Sequence, residues 1–359
     1  MTIVATIIPH SRPSIDEEDL RATAEVLRSG QIAQGPWVER FERDMASFMG
    51  VQGGVAVSSG TAALELALRA LDVGPGDEVI MPSYVCQAPW LATQRVGAQA
   101  RLVDIDLNTF NIDPLAACQA VTKRTRAIIV PHLFGLPADL TALEQIGIPL
   151  IEDCAQTLGV TEQGRPVGTV GRLTVCSFYA TKLLCAGEGG MVLSNVKGDF
   201  ERVRSLREYD GASTLNPSSF NVKLTDIQAA LGLSQLGRFS AFHERRQILA
   251  AAYRVALSSK AAVCPTTPSG RTHGYYRYVV RLPHLRANPD GLMRLISTLE
   301  QQGIQYRKPV FRPLHRYLGQ SGFPNSDEAD RTALSIPLYP DLTDDEARQI
   351  FQSLEEVLS

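Results

Sequence analysis

Three short stretches of this sequence set reactive side chains beside turns. SFYATKLLCAGEGG (Ser177 to Gly190) carries Lys182 between the apolar run LTVCSF and a small-residue turn that leads into GMVLS. IPLIED (Ile148 to Asp153) ends an apolar run on two carboxylates, Glu152 and Asp153. GVAVSSGTAALELALRAL (Gly54 to Leu71) reads as a strand, the turn Ser58-Ser59-Gly60-Thr61 and an amphipathic helix. An amine held in a crevice at a strand end is partly desolvated, which makes its neutral form available for a Schiff base. Strand alternation turns Glu152 and Asp153 to opposite faces, so only one of them looks into such a crevice. A buried carboxylate there needs a cation or several hydrogen-bond donors. The Ser-Ser-Gly-Thr turn leaves backbone N–H groups free at a helix N-terminus, which is an anion site. Each feature also has a plain alternative: lysines are common on surface loops, Asp caps helices that follow strands, and Ser and Thr cap helices that bind nothing.

The elements that must position these groups follow from periodicity. Besides the first strand at 54–57, the apolar runs DEVIMP (77–82), ARLVDID (100–106), AIIVPH (127–132), IPLIED, LTVCSF (173–178) and GMVLSN (190–195) make seven strands, most of them separated by helical patterns. Short strands apolar throughout argue for an α/β architecture, a mostly parallel sheet covered by helices on both faces. In such sheets ligands bind beyond the strands' carboxyl ends, where Lys182 and Asp153 both lie. Ser14 is expected to cap a first helix, GPWVERFERDMASFMG (35–50) is a second, and Thr225 is expected to cap TDIQAALGLSQLGRF (225–239). With 359 residues, 44% of them hydrophobic, the chain has material for two cores. The expected division is an N-terminal arm and large domain over 1–245 and a smaller C-terminal α+β domain over 246–359.

A formal net charge of −3 gives no footprint for nucleic acid. No apolar run has bilayer length, and the N-terminus lacks the features of a signal peptide, so a cytoplasmic location is expected. The six cysteines form no CxxC pair and no zinc-type spacing with histidine; reduced thiols and no metal are expected. One ligand would use the amine, the strand-end carboxylate and the helix N-terminus together: pyridoxal 5′-phosphate. The lysine would form a Schiff base with it, the Asp would keep its ring nitrogen protonated, and the helix N-terminus would take its phosphate. The ring's charge beside Asp153 would hold that carboxyl ionised and low.

Segments along nearly the whole chain resemble, in the same order, the DegT/DnrJ/EryC1/StrS family of pyridoxal-phosphate-dependent sugar aminotransferases. They are SRPSI (11–15), SSGTAAL (58–64), GDEVIMPSY (76–84), NIDP (111–114), IEDCAQ (151–156), SFYATKLLCAGEGGMV (177–192), LTDIQAALG (224–232), PLH (313–315) and LSIPLYPDLT (334–343). The resemblance implies the fold type I architecture, with Lys182 as the Schiff-base lysine and proton carrier and Asp153 as the partner of the ring nitrogen. It implies Gln156 as donor to the cofactor's 3′-oxygen, and Gly60, Thr61, Ala62 and Ser177 as phosphate ligands. Asn221 matches an asparagine that reaches the phosphate from a neighbouring subunit, which implies a homodimer with a shared active site. Two departures stand out. Cys86 occupies the position of the family's ring-stacking aromatic, leaving Tyr84 or Trp90 to compensate, and Asn221 is followed by Val-Lys where many members have Tyr-Arg.

The implied activity is transfer of an amino group from glutamate or glutamine to a keto-sugar, expected to be a nucleotide-linked keto-deoxysugar. Tyr84, Arg207, Arg277, Arg312 and His315 are candidate substrate contacts. A non-nucleotide cyclic ketone as acceptor, or a regulatory protein that keeps the fold without turnover, are the alternatives.

Overall fold

The structure is a computed structural model that describes residues 7–209, 216, 218–258, 260–288 and 290–358; the first six residues of the expected opening extended piece, and Asp210 and Gly211 of DFERVRSLREYDG, lie outside them. In chain order the helices are α1 Glu17–Ser29, α2 Pro36–Met49, α3 Gly60–Ala70, α4 Ala88–Arg95, α5 Pro114–Gln119, α6 Leu140–Glu144, α7 Lys197–Arg207, α8 Asp226–Gly237, α9 Phe239–Ala256, α10 Gly291–Glu300, α11 Leu314–Tyr317, α12 Pro324–Thr332 and α13 Asp344–Leu358. The strands are β1 Gly53–Val57, β2 Glu78–Pro82, β3 Gln99–Val103, β4 Thr125–Pro131, β5 Leu150–Asp153, a small ribbon of β6 Thr161–Glu162 and β7 Arg165–Pro166, then β8 Leu173–Ser177, β9 Gly190–Ser194, β10 Tyr278–Arg281 and β11 Ala333–Ile336.

The seven strands expected from the sequence form one sheet in the order β1-β9-β8-β5-β4-β2-β3. All neighbours from β8 through β5, β4 and β2 to β3 are parallel, and only β9 runs antiparallel to its neighbours β1 and β8. The carboxyl ends of β1, β2, β4, β5 and β8 therefore share one edge, and the amino end of β9 joins them there. Both faces of the sheet's inner strands are covered, which is why they read as apolar throughout, while the edge strand β3 exposes Gln99 and Arg101. Val55, Val57, Val175 and Val192 pack on one face with α3, while Ala56, Cys176, Met191 and Leu193 pack on the other with Phe41 and Met45 of α2.

A second core joins α9, α10 and α13 to the β10–β11 pair through Tyr253, Tyr278, Leu299, Leu334 and Ile350. The expected boundary at 245/246 falls inside α9. Ile8 of the arm packs into this second core and bridges to Gly303 and Gln305 at 2.9 Å each. Thr225 caps α8 in a reciprocal box with Gln228, as its spacing indicated. Ser14 does not cap α1: Asp16 does, paired reciprocally with Asp19, and the Ser14 hydroxyl bonds Asp341 instead. An aspartate two residues further on is placed better for the same N–H groups, and capping chemistry alone did not separate the two. No helix among the described residues is long and apolar enough to cross a membrane.

Candidate active site

At the shared strand edge lies a cleft of about 230 Å³ whose walls include Ser59, Gly60, Thr61, Cys86, Asp153, Ser177 and Lys182. The register explains the convergence. Gly190 of β9 pairs with Val57 on one side and Ser177 on the other, which brings the turn after β1 against the end of β8. Only glycine fits there, because an added Cβ at 190 would lie 2.4 Å from the Ser59 carbonyl oxygen. A Cβ at Gly60 would likewise meet the Ser177 Cβ at 2.9 Å. Ser59 caps α3 by accepting from Ala62 N–H at 3.1 Å. Ala62's N–H is thus already used, whereas Gly60 and Thr61, the first two residues of the helix, have N–H groups with no carbonyl one turn back.

Asp153 closes β5 and is buried, with one oxygen accepting from Ala155 N–H at 3.0 Å. Burial raises its pKa above the ordinary carboxylate value; the Ala155 N–H, Lys182 and His132 pull the other way without prevailing. The sequence argument expected a low carboxyl beside a ring cation; in the protein alone desolvation wins. A buried acid facing a cleft, with one backbone donor, fits a protonated ring nitrogen. Glu152 does turn to the opposite face. It is fully buried and accepts from Gly168, Val170 and Gly171 N–H (2.8, 2.9 and 2.6 Å) and from His132 at 3.1 Å. Burial opposes its charge, but His132 and these backbone donors hold it below its ordinary value. His132, Glu152 and Cys154 bring metal-type atoms within 4.8 Å of one another. Glu152's oxygens and His132 Nδ1, which accepts from Ala138 N–H, already serve hydrogen bonds.

Lys182 sits half-buried in the turn after β8, its N–H donating to Tyr179 O at 2.8 Å. Its Nζ lies over the ring of Tyr276, 5.2 Å from the centroid. Gln156 accepts from Phe134 N–H through Oε1 at 3.0 Å, which orients the amide and leaves Nε2 as the free donor end. Cys86 lines the cleft and is open to solvent on one side; the protein around it raises its thiol pKa, so it presents a neutral sulfur.

Other candidates lie elsewhere. Tyr84 is fully buried, stacked on Phe110 at 5.9 Å with its hydroxyl toward Ala329 O, and Trp90 packs half-buried against the large core, so neither lines the cleft where Cys86 sits. Arg207 is buried on Glu42 Oε1 at 2.6 Å and the Ala56 carbonyl, a clamp between α7, α2 and β1. Arg312 is exposed, lying over the Tyr317 ring. His315 is buried between Ser83 Oγ (2.6 Å) and Asp327 Oδ1 (3.1 Å), which engages both ring nitrogens. Arg277 donates to Pro309 O at 2.8 Å and lies over Tyr276. Asn221 is exposed on the segment between α7 and α8 that runs beside the end of β1, with Ser58 N–H donating to Val222 O at 2.8 Å. Sequence reasoning missed Tyr276, whose stretch YYRYVVRL carries only a strand signal. It also left Tyr179 and Glu188, both in the lysine segment and both on the cleft wall, without a role.

The mostly parallel sheet, the strand-end amine and acid, and the glycine-lined turn at a helix N-terminus are what a pyridoxal-phosphate-dependent enzyme of fold type I requires. The chain matches the DegT/DnrJ/EryC1/StrS aminotransferase family over residues 13–355. It is 33% identical to the spore coat polysaccharide biosynthesis protein SpsC of Bacillus subtilis, over 98% of this chain and 97% of that protein. Its structure is similar to the aminotransferase TlmJ from Streptoalloteichus hindustanus (TM-score 0.92, 31% identity, 98% of this chain and 99% of that one). It is also similar to S. venezuelae DesV (TM-score 0.87, 33% identity, 94% of each chain). The chain belongs to the DegT/DnrJ/EryC1/StrS aminotransferase family, and it is a pyridoxal-phosphate-dependent aminotransferase.

Proposed function

We propose that this aminotransferase moves an amino group from glutamate or glutamine to a keto-sugar, specifically a nucleotide-linked keto-deoxysugar. The observation that carries the chemistry is the meeting of Lys182, Asp153, Ser177 and the Gly60–Thr61 turn in one cleft. The sugar class is supported by the family and by a relative named for polysaccharide biosynthesis. When bound, pyridoxal phosphate supplies a carbonyl carbon for amine exchange and an electron-withdrawing ring. Ser177 Oγ and the N–H groups of Gly60 and Thr61 would hold its phosphate, and Gln156 Nε2 would donate to its ring oxygen. The Asp153 carboxylate would keep a proton on the ring nitrogen, and Cys86 would cover part of one ring face. Lys182 Nζ would take up the donor's Cα proton and return it to the cofactor's carbonyl carbon, on the far side of the intervening nitrogen. Exposed Asn221, on the segment beside the phosphate turn, supports a homodimer in which that side chain reaches the partner's cleft.

The test is an absorbance spectrum of the protein with pyridoxal phosphate before and after glutamate, followed by a panel of nucleotide-linked, free-sugar and cyclic polyol ketones. A Schiff-base band that bleaches with glutamate and returns only with a nucleotide-linked ketone is the expected result. Bleaching without return on that acceptor would overturn the substrate assignment. A protein that takes up no cofactor would overturn the catalytic reading.

A further inference from the structure

Lys182 has two states to serve. With the cofactor bound, replacement of Lys182 by the donor's amine at the carbonyl carbon would form one C=N bond as another breaks, with no net change in protons or electrons. It leaves Nζ free on a flexible four-carbon stem. An amine that must carry a proton between two carbons separated by one nitrogen works only if it stays beside them, because loss of orientation lowers the rate directly.

Nζ lies over the Tyr276 ring at 5.2 Å, within the range at which an aromatic face attracts a cation. Tyr276 is itself held. It is 5% exposed, and the Arg277 guanidinium also lies over its ring, 5.4 Å from the centroid. The carbonyls of Tyr275 and Tyr276 both accept from buried Arg246 Nη1, at 3.3 and 3.1 Å. The same segment is pinned to the turn after β4: Gly274 N–H donates to Gly135 O at 2.7 Å and Arg277 N–H to Phe134 O at 3.3 Å. Gly135 (φ +99°) permits this approach, since a Cβ there would lie 2.5 Å from Tyr275 N. Phe134 in turn orients Gln156. Tyr276 thus meets the head of Lys182 from a segment outside the large sheet.

We propose that Tyr276 is a positioning residue for Lys182: its ring face is the resting place of the freed Nζ. Burial would raise the phenol's pKa, yet Lys182, Arg277 and Thr181 together bring it down to about 8, as expected for a group surrounded by cations and donors. A tyrosine serving only as core filling has no need of that company.

The proposal rests on Lys182 being the Schiff-base lysine, so the contact is tested in the full-length protein without cofactor. Acetic anhydride labels Lys182 in wild type, Tyr276→Phe, and a variant with pentafluorophenylalanine at position 276, with other lysine-containing peptides as internal standards in mass spectrometry. Fluorination keeps the ring's shape and reverses its quadrupole. Tyr276→Phe should label Lys182 within about twofold of wild type, and the fluorinated variant about 2- to 30-fold faster than Tyr276→Phe, the span of exposed to desolvated cation–π contacts. With pyridoxal phosphate restored, the fluorinated variant should keep the Kd of Tyr276→Phe and lose glutamate half-reaction rate by a similar factor. Equal labelling in the two ring variants would overturn the proposal. Retention of the Schiff-base band in Lys182→Ala would instead refute the lysine assignment, so the two failures are told apart.

Discussion

Asp153→Asn should move two measurements in opposite directions. The side chain is buried at the end of β5 and takes one hydrogen bond, from Ala155 N–H. Asn has the same shape and keeps an oxygen for that donor, so the change removes charge and little else. For the cofactor, an ion partner disappears from a desolvated site, a loss of about 3–5 kcal/mol when the other charge must stay. A ring nitrogen can shed its proton, which limits the loss to roughly 2–3 kcal/mol, a Kd about 30- to 150-fold weaker. For the protein alone the sign reverses. Burial raises the Asp153 pKa, and an acid whose folded pKa lies above its unfolded value weakens the fold at neutral pH. Asn removes that penalty, so the cofactor-free protein should be as stable as wild type or more stable by about 1 kcal/mol. Absorbance titration gives the first quantity, and urea unfolding without cofactor gives the second. An Asn variant that binds cofactor within threefold of wild type, or one that loses stability in the cofactor-free form, would refute the reasoning.

Acid should destabilise the fold through two buried histidines. Burial, aided by Arg277 and Arg307 for His10 and by Arg254 for His273, lowers both from 6.5 to about 3. The unfolded chain then takes up protons below about pH 6.5 while the fold does not until near pH 3, so stability falls through that window, by roughly 2 kcal/mol per histidine at pH 5; equal urea midpoints at pH 7 and 5 would contradict this. Arg207→Met strips the buried Glu42 of a cation and should lower unfolding free energy by about 3 kcal/mol with cofactor Kd unchanged. A raised donor KM at full stability would return Arg207 to the substrate site. Gly60→Ala pushes α3 away from Ser177 and should weaken cofactor binding at least about tenfold, with about 1–3 kcal/mol of strain visible in unfolding; unchanged binding would remove the turn from the phosphate site.

Much of the site was legible before the fold was known. Lys182, Asp153 and the Gly60–Thr61 turn are marked by strand ends and small-residue turns, signals confined to a few neighbours, and alternation separated Asp153 from Glu152; Ser177 came only from the family resemblance. Arginine was the least legible residue type: Arg207, Arg277 and Arg312 look alike in sequence, yet one clamps Glu42, one flanks Tyr276 and one lies exposed. Tyr84 illustrates the same limit, for an aromatic beside a strand end serves a core as well as a ligand, and here it stacks on Phe110.

The sequence by itself determined the seven strands, the α8 cap and the reactive strand ends, because period, capping and turn chemistry act within one or two turns of chain. Tertiary structure decided which distant groups meet. Arg207 finds Glu42 across 165 residues, and Tyr276 arrives over Lys182 from a segment pinned to the turn after β4 and to Arg246. Such pairings depend on how whole elements pack, and a local pattern leaves several partners equally possible for each charge and each ring.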